Sequence, residues 1–167
     1  MSIQPQKQEI KDLTVEQLAD WFQQHGMRKF RATQVLKWIY LHQAENFKEM
    51  TDLSKGARER LAEYFSLNRL TLKKKEISQD GSQKFLFGLH DGNLIESVLI
   101  PEKNHDTLCI STQVGCAQGC RFCLTARNGF IRNLSAGEII SQVNDIKLDA
   151  GSAGKPTNIV LMGMGEP

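Results

Sequence analysis

The chain lacks any apolar run near the roughly 18 to 20 residues that cross a bilayer, and its opening MSIQPQKQEIKDL has no apolar stretch behind its few charges. Neither a membrane span nor a secretory leader is expected, and the protein reads as soluble and cytoplasmic. No cysteine lies outside residues 109–123, whereas a secreted disulfide framework spreads its cysteines along a small chain. A metal or redox site in a reducing compartment is the better reading of such crowding. Internal repeats and low-complexity segments are also missing.

What is present is the apolar content of one ordinary domain or two small ones: 167 residues, 40% hydrophobic and 24% charged. The net charge of +2 hides an asymmetry. Residues 1–75 carry 14 Lys and Arg against 9 Asp and Glu, while the rest carry 7 against 10. A basic front half suits a nucleic-acid-facing module, although solvated basic helices give the same count.

Residues 14–25, TVEQLADWFQQH, place Val15, Leu18, Ala19 and Phe22 on one helical stripe, with Thr14 as N-cap, Gln17 completing a capping box and Gly26 as the stop. A second helix is predicted through RATQVLKWIYLHQ, where Val35, Leu36 and Ile39 recur, and a third near ARERLAEYFS with Leu61, Tyr64 and Phe65. Residues 1–68 therefore read as a helical module. Its basic cluster of Arg28, Lys29, Arg31 and Lys37, near Trp38 and Tyr40, is a candidate RNA contact, as is Lys73-Lys74-Lys75; core aromatics and a solvated charge run are the plainer readings.

The period then changes to two. Phe85, Phe87 and Leu89 alternate, as do Leu94, Val98 and Ile100, with Asp80-Gly81 and Asp91-Gly92 marking turns. Residues 69–103 thus form a β-meander, with an earlier strand near 70–78. A strand around 107–112, a loop bearing cysteines and glycines, a helix opening at Ser135 with Glu138 as capping partner, and a compact apolar strand Asn158–Met162 make one βαβ unit. The fold class is α/β: a helical accessory domain and β-meander, followed by the first unit of a parallel sheet or barrel.

Cys116, Cys120 and Cys123 are separated by three and then two residues, in a loop directly after a strand. Three soft thiolates can hold three irons of a [4Fe–4S] cluster and leave the fourth iron open to a ligand. A structural zinc site of all four cysteines is the alternative, but Cys109 falls inside a predicted strand and only one pair has the usual close spacing. Two further positions stand out. Glu96 shares a strand face with Leu94, Val98 and Ile100, where burial would favour its protonated form; an edge-strand charge guarding against aggregation is the bland reading. Gly163-Met164-Gly165-Glu166-Pro167 follows a strand, where glycines let a backbone approach a ligand and a carboxylate can meet an ammonium; it is equally an ordinary turn.

The run CAQGCRFC resembles the cluster motif of the radical S-adenosylmethionine (SAM) superfamily, including the aromatic residue before the third cysteine. Its surroundings, STQVGCAQGCRFCLTARNGF, ESVLIP and NIVLMGMGEP, resemble the RlmN/Cfr-type RNA methyltransferases in order and approximate spacing. The resemblance implies a [4Fe–4S] cluster on Cys116, Cys120 and Cys123, and SAM held beside it with Gly165 and Glu166 near the methionine amino group. It implies Glu96 as proton acceptor, and Cys109 as the thiol that resolves a methyl-bridged crosslink by forming a disulfide with a C-terminal cysteine. One βαβ unit cannot close a barrel, so residues 104–167 are expected to be the start of an incomplete radical SAM barrel, and with no cysteine after Cys123 it is expected to be inactive alone. The implied reaction is methylation of carbon 2 of adenosine in ribosomal and transfer RNA, with a flavodoxin-like electron donor, no membrane and a monomeric chain. Rival readings are another radical SAM enzyme acting on a peptide or small molecule, and a zinc-stabilised RNA-binding module.

Overall fold

The computed structural model describes residues 7–150 and 156–167. The first six residues of the expected helical module, and residues 151–155 of the expected βαβ crossover, lie outside the described residues. The chain divides into two compact units, Met1–Arg69 and Leu70–Pro167.

The first unit holds β1 (Gln8–Glu9), α1 (Val15–Gln24), α2 (Arg31–Tyr40), α3 (Lys55–Tyr64) and β2 (Phe65–Ser66). At the start of α1 the Thr14 hydroxyl accepts from the Gln17 amide, and the Gln17 side chain accepts from the Thr14 amide at 2.8 Å, satisfying two otherwise orphaned donors. The helix stops because Gly26 adopts φ +74°, which lets the Met27 amide reach back to the Phe22 carbonyl at 2.8 Å. Leu18 and Phe22 are fully buried, Ala19 is partly so, and Val15 stays exposed at the helix's first turn. Ala32, Val35 and Ile39 of α2 meet them, together with Ile10, Met50 and Leu61. Each of the larger side chains contributes about 1.5 to 3 kcal/mol by leaving water, and the Ala32 methyl less.

Phe65 is buried but not helical: α3 ends at Tyr64, and Phe65 joins β2, which runs parallel to β1 with Gln8 opposite Phe65. The Glu9 carboxylate fastens this pair, accepting from the Ser66 hydroxyl at 3.1 Å and the Asn68 amide at 2.9 Å.

The second unit contains β3 (Thr71–Ile77), β4 (Gln83–Gly88), β5 (Leu94–Pro101), β6 (Asp106–Cys109), β7 (Gln113–Gly115), α4 (Leu124–Arg127), β8 (Phe130–Asn133), α5 (Ala136–Ala150) and β9 (Pro156–Val160). Five of these strands form one sheet in the order β3-β4-β5-β6-β9, antiparallel except for the parallel pair β6 and β9. The turns at Asp80-Gly81 and Asp91-Gly92 use left-handed glycines, with φ +85° and +86°. α5 opens on the expected capping box, with the Glu138 amide donating to the Ser135 hydroxyl at 3.2 Å and the Ser135 amide to the Glu138 carboxylate at 3.0 Å.

The core lies on one face of the sheet. Phe85, Phe87, Ile95, Leu99, Leu108 and Ile110 are buried there, with Ile146, Ile139 and Val143 of α5 packed against them. On β5 this buries Ile95, Ser97 and Leu99 and leaves Leu94, Glu96, Val98 and Ile100 on the open side. The alternation expected from the sequence is present, but the helix covers the opposite face. β9 also differs from expectation. It is the last strand of the sheet among the described residues, so Ile159, Leu161 and Met162 are exposed rather than forming a buried strand.

Candidate cofactor site

The cysteine loop is held at its base by two short strands. β7 and β8 are antiparallel, with Gln113 opposite Asn133, and the register shifts between Val114 and Gly115. At that point the Cys116 amide donates to the Gly129 carbonyl at 3.1 Å. Gly115 has φ +75°, and a Cβ there would stand 1.8 Å from the Gly129 oxygen, so no other residue fits. Between these anchors run Cys116, Cys120, Cys123 and α4. Cys116 and Cys123 are half-buried and Cys120 is exposed, while Phe122, just before the third cysteine, is 89% exposed.

Cys123 caps the start of α4. It makes no side-chain capping hydrogen bond, but the nearby Ala126 amide, with Thr125 in support, favours the thiolate and holds the thiol below its usual range. All four cysteines are free thiols. Among the described residues no three His, Cys, Asp or Glu side chains converge closely enough to hold a metal ion.

Cys109 ends β6 on the open side of the sheet, directly across from Val98. Burial pushes its thiol up, partly offset by a hydrogen bond from the Met162 backbone. Glu96 lies on the same side, since period two puts it with Val98. Its side chain is 45% exposed and 3.5 Å from the Lys84 ammonium, which also pairs with Glu76 at 3.1 Å. Two readings of Glu96 are thereby corrected. It is not a desolvated carboxyl, because water and an ammonium reach it, and it does not guard a sheet edge, because β5 is an inner strand.

The chain beyond β9 folds back onto residues 110–113. The Gly163 amide donates to the Ile110 carbonyl at 3.0 Å, and the Met164 amide to the Ser111 hydroxyl at 2.8 Å. The Met164 carbonyl in turn accepts from the Thr112 and Gln113 amides at 2.8 and 3.1 Å. A Cβ on Gly163 would meet the Ile110 oxygen at 2.6 Å, so this close approach requires glycine. Gly165, with φ +104°, and the exposed Glu166 complete the turn. The cysteine loop and the glycine turn are therefore mounted on one segment.

A buried polar group supports that segment. The Gln142 amide of α5, fully buried, accepts from the Ser97 hydroxyl and the Ser111 amide, both at 2.8 Å, and donates to the Ser111 carbonyl at 2.9 Å. Nothing in the sequence reading singled out Gln142, Ser111 or Gln113. The available signal was a polar residue interrupting the apolar stripe Ile139, Val143, Ile146.

The candidate RNA contacts divide. Arg28 and Lys37 are exposed, Lys29 pairs with Asp20 at 2.7 Å, and Trp38 and Tyr40 pack against the core of the first unit. In the lysine run, Lys74 pairs with Glu76 at 2.6 Å and Lys75 with Asp149, the latter ammonium lying over the Phe85 ring. Two of its three lysines thus already have partners within the chain.

Three thiols on one loop beside a glycine turn, on a sheet with one parallel pair, define a class when set against solved structures. The fold matches the crystal structure of a radical SAM methyltransferase from Sphaerobacter thermophilus with a TM-score of 0.86 at 41% identity, covering 96% of this chain and 48% of that one. Residues 8–67 match the family model of the ribosomal RNA large subunit methyltransferase N-terminal domain. The dual-specificity RNA methyltransferase RlmN of Desulfosudis oleivorans is 53% identical over 96% of this chain and 43% of its own length, and that of Syntrophobacter fumaroxidans is 49% identical over 95% and 46%. The chain is a homologue of the RlmN dual-specificity RNA methyltransferases, and it spans about half the length of the curated relatives it matches.

Proposed function

We propose that this chain carries the cofactor-binding front of a radical SAM enzyme that methylates carbon 2 of adenosine in ribosomal and transfer RNA. The observation that supports it most is the common mounting of the cysteine loop and the Gly163–Glu166 turn on residues 110–113. Soft thiolates suit iron, the loop is open, and one of its thiols is already biased toward the thiolate, so the donor set fits a [4Fe–4S] cluster although the sulfurs do not yet converge. The fourth iron would be left for SAM, and cluster and SAM together supply the radical chemistry that an unacidic carbon requires.

The chain's own residues then have separate tasks. Cys116, Cys120 and Cys123 bind the cluster. Gly165 lets the backbone approach the methionine end of SAM, and Glu166 receives its ammonium. Glu96 takes the proton lost from carbon 2 at a carboxylate oxygen, 3.5 Å from the Lys84 ammonium. Cys109 keeps its proton until the crosslinked intermediate is resolved, consistent with a thiol pushed up by burial. Exposed Arg28 and Lys37 contribute phosphate contacts to RNA, and a flavodoxin-like protein is the electron source.

Anaerobic reconstitution with iron and sulfide tests the centre of this reading. The expected product is brown protein with about four irons per chain, whose electron paramagnetic resonance signal changes on adding SAM. Cys116→Ala, Cys120→Ala and Cys123→Ala are each expected to abolish stable iron binding. Zinc without labile sulfide, or a cluster signal indifferent to SAM, overturns the proposal.

A further inference from the structure

One side chain joins the three segments of the candidate site. The Gln113 side-chain oxygen accepts from the Glu166 amide at 3.3 Å, and its nitrogen donates to the Glu166 carbonyl at 3.1 Å and to the Asn133 side chain at 3.0 Å. A primary amide has the same donor and acceptor as a peptide group, so Gln113 pairs with Glu166 as a neighbouring strand would. It is only 8% exposed, and it starts β7, whose last residue precedes Cys116. The fit is close, since a Cβ on Gly165 would stand 2.6 Å from the Cβ of Gln113. Glu166 is thus held through its backbone while its side chain stays exposed.

We infer that Gln113 is a positioning residue that fixes the Gly163–Glu166 turn for the methionine end of SAM and couples that turn to the strand entering the cysteine loop. The inference rests on the function proposed above, in which this turn receives SAM. Gln113 touches neither cluster nor substrate in this role. It sets the direction of the Glu166 carboxylate by occupying both backbone groups of that residue, and it ties the same amide to β8 through Asn133. A thermal opening of the turn must break these bonds together, so the turn and the loop base open as one unit.

The test uses Gln113→Met, which keeps length and volume but removes every side-chain hydrogen bond, and Gln113→Glu, which keeps an acceptor for the Glu166 amide but loses both donations. Amide hydrogen exchange without any cofactor reports the clamp. The amides of Met164 to Glu166 are expected to exchange about tenfold faster or more in Gln113→Met, those of α5 being unchanged. Equilibrium dialysis on the reconstituted protein reports the consequence: iron content equal to the parent chain, and SAM affinity weaker by about tenfold in both variants. Unchanged affinity in Gln113→Met overturns the inference, whether or not exchange quickens, because packing alone would then suffice. A parent chain that binds no SAM overturns the proposed function and the cofactor half of this inference with it. The exchange measurement still decides whether Gln113 holds the turn.

Discussion

Two thiols with opposite environments should be separable in solution. The Ala126 amide near Cys123 favours its thiolate, whereas Cys109 is desolvated, so alkylation of the cofactor-free chain by iodoacetamide should rise for Cys123 at a lower pH than for Cys109. Peptide mass spectrometry across pH checks the order, and a reversed order would contradict both assignments. Gln142 offers a second test. Replacing it with Leu leaves the Ser111 amide and carbonyl and the Ser97 hydroxyl without partners in a dry core, and should destabilise the chain by about 2 to 4 kcal/mol in urea titrations. The cysteine spacing and the glycine turn were legible in the sequence because both are short motifs with fixed chemistry. Gln142 and Gln113 were not, because their partners lie 31 and 45 residues away for the first and 20 and 53 for the second, and an isolated glutamine announces nothing.

Gly115 is where the cysteine loop is most easily broken. Alanine there must adopt φ +75° and meet a carbonyl oxygen, so Gly115→Ala should cost more than about 2 kcal/mol and lower the iron retained after reconstitution. Arg132 ties β8 to the Asp91 turn at 2.7 Å and to Glu138 at the start of α5, also at 2.7 Å. Although partial burial opposes it, hydrogen bonds from Asn93 and Arg132 hold the Asp91 carboxyl down to about 2. A carboxyl depressed in the folded state adds stability that is complete above its ordinary value near 3.8 and drains as pH falls toward 2. Arg132→Ala should therefore melt at a lower temperature at pH 7, and should show a smaller loss between pH 4 and 2 than the parent chain. Helix starts at Thr14 and Ser135 and turns at the Asp-Gly pairs follow from local chemistry, and the sequence predicts them. Which face of β5 is buried depends on where α5 lands, and alternation alone is symmetric between Leu94-Glu96-Val98 and Ile95-Ser97-Leu99.

At the scale of the molecule, each unit has its own core. Among the described residues, the hydrophobic cluster around Leu18 and Phe22 is drawn from the first 69 positions, and the one around Phe85 and Ile95 from the positions beyond them. A polypeptide of residues 1–69 is accordingly expected to show a cooperative helical melt by circular dichroism; a featureless decline would mean that its core cannot stand alone. The change from helical to alternating periodicity made two kinds of structure visible in advance. The short parallel pair β1–β2 was not, because two-residue strands carry no periodicity. The exposed border at β9 has a practical outcome for anyone handling the chain in concentrated solution. Among the described residues no strand pairs with the outer side of β9, and this edge, beside the exposed Ile159, Leu161 and Met162, is a template for another strand, so light scattering should reveal clumping that grows with protein concentration and subsides when Ile159 is replaced by lysine.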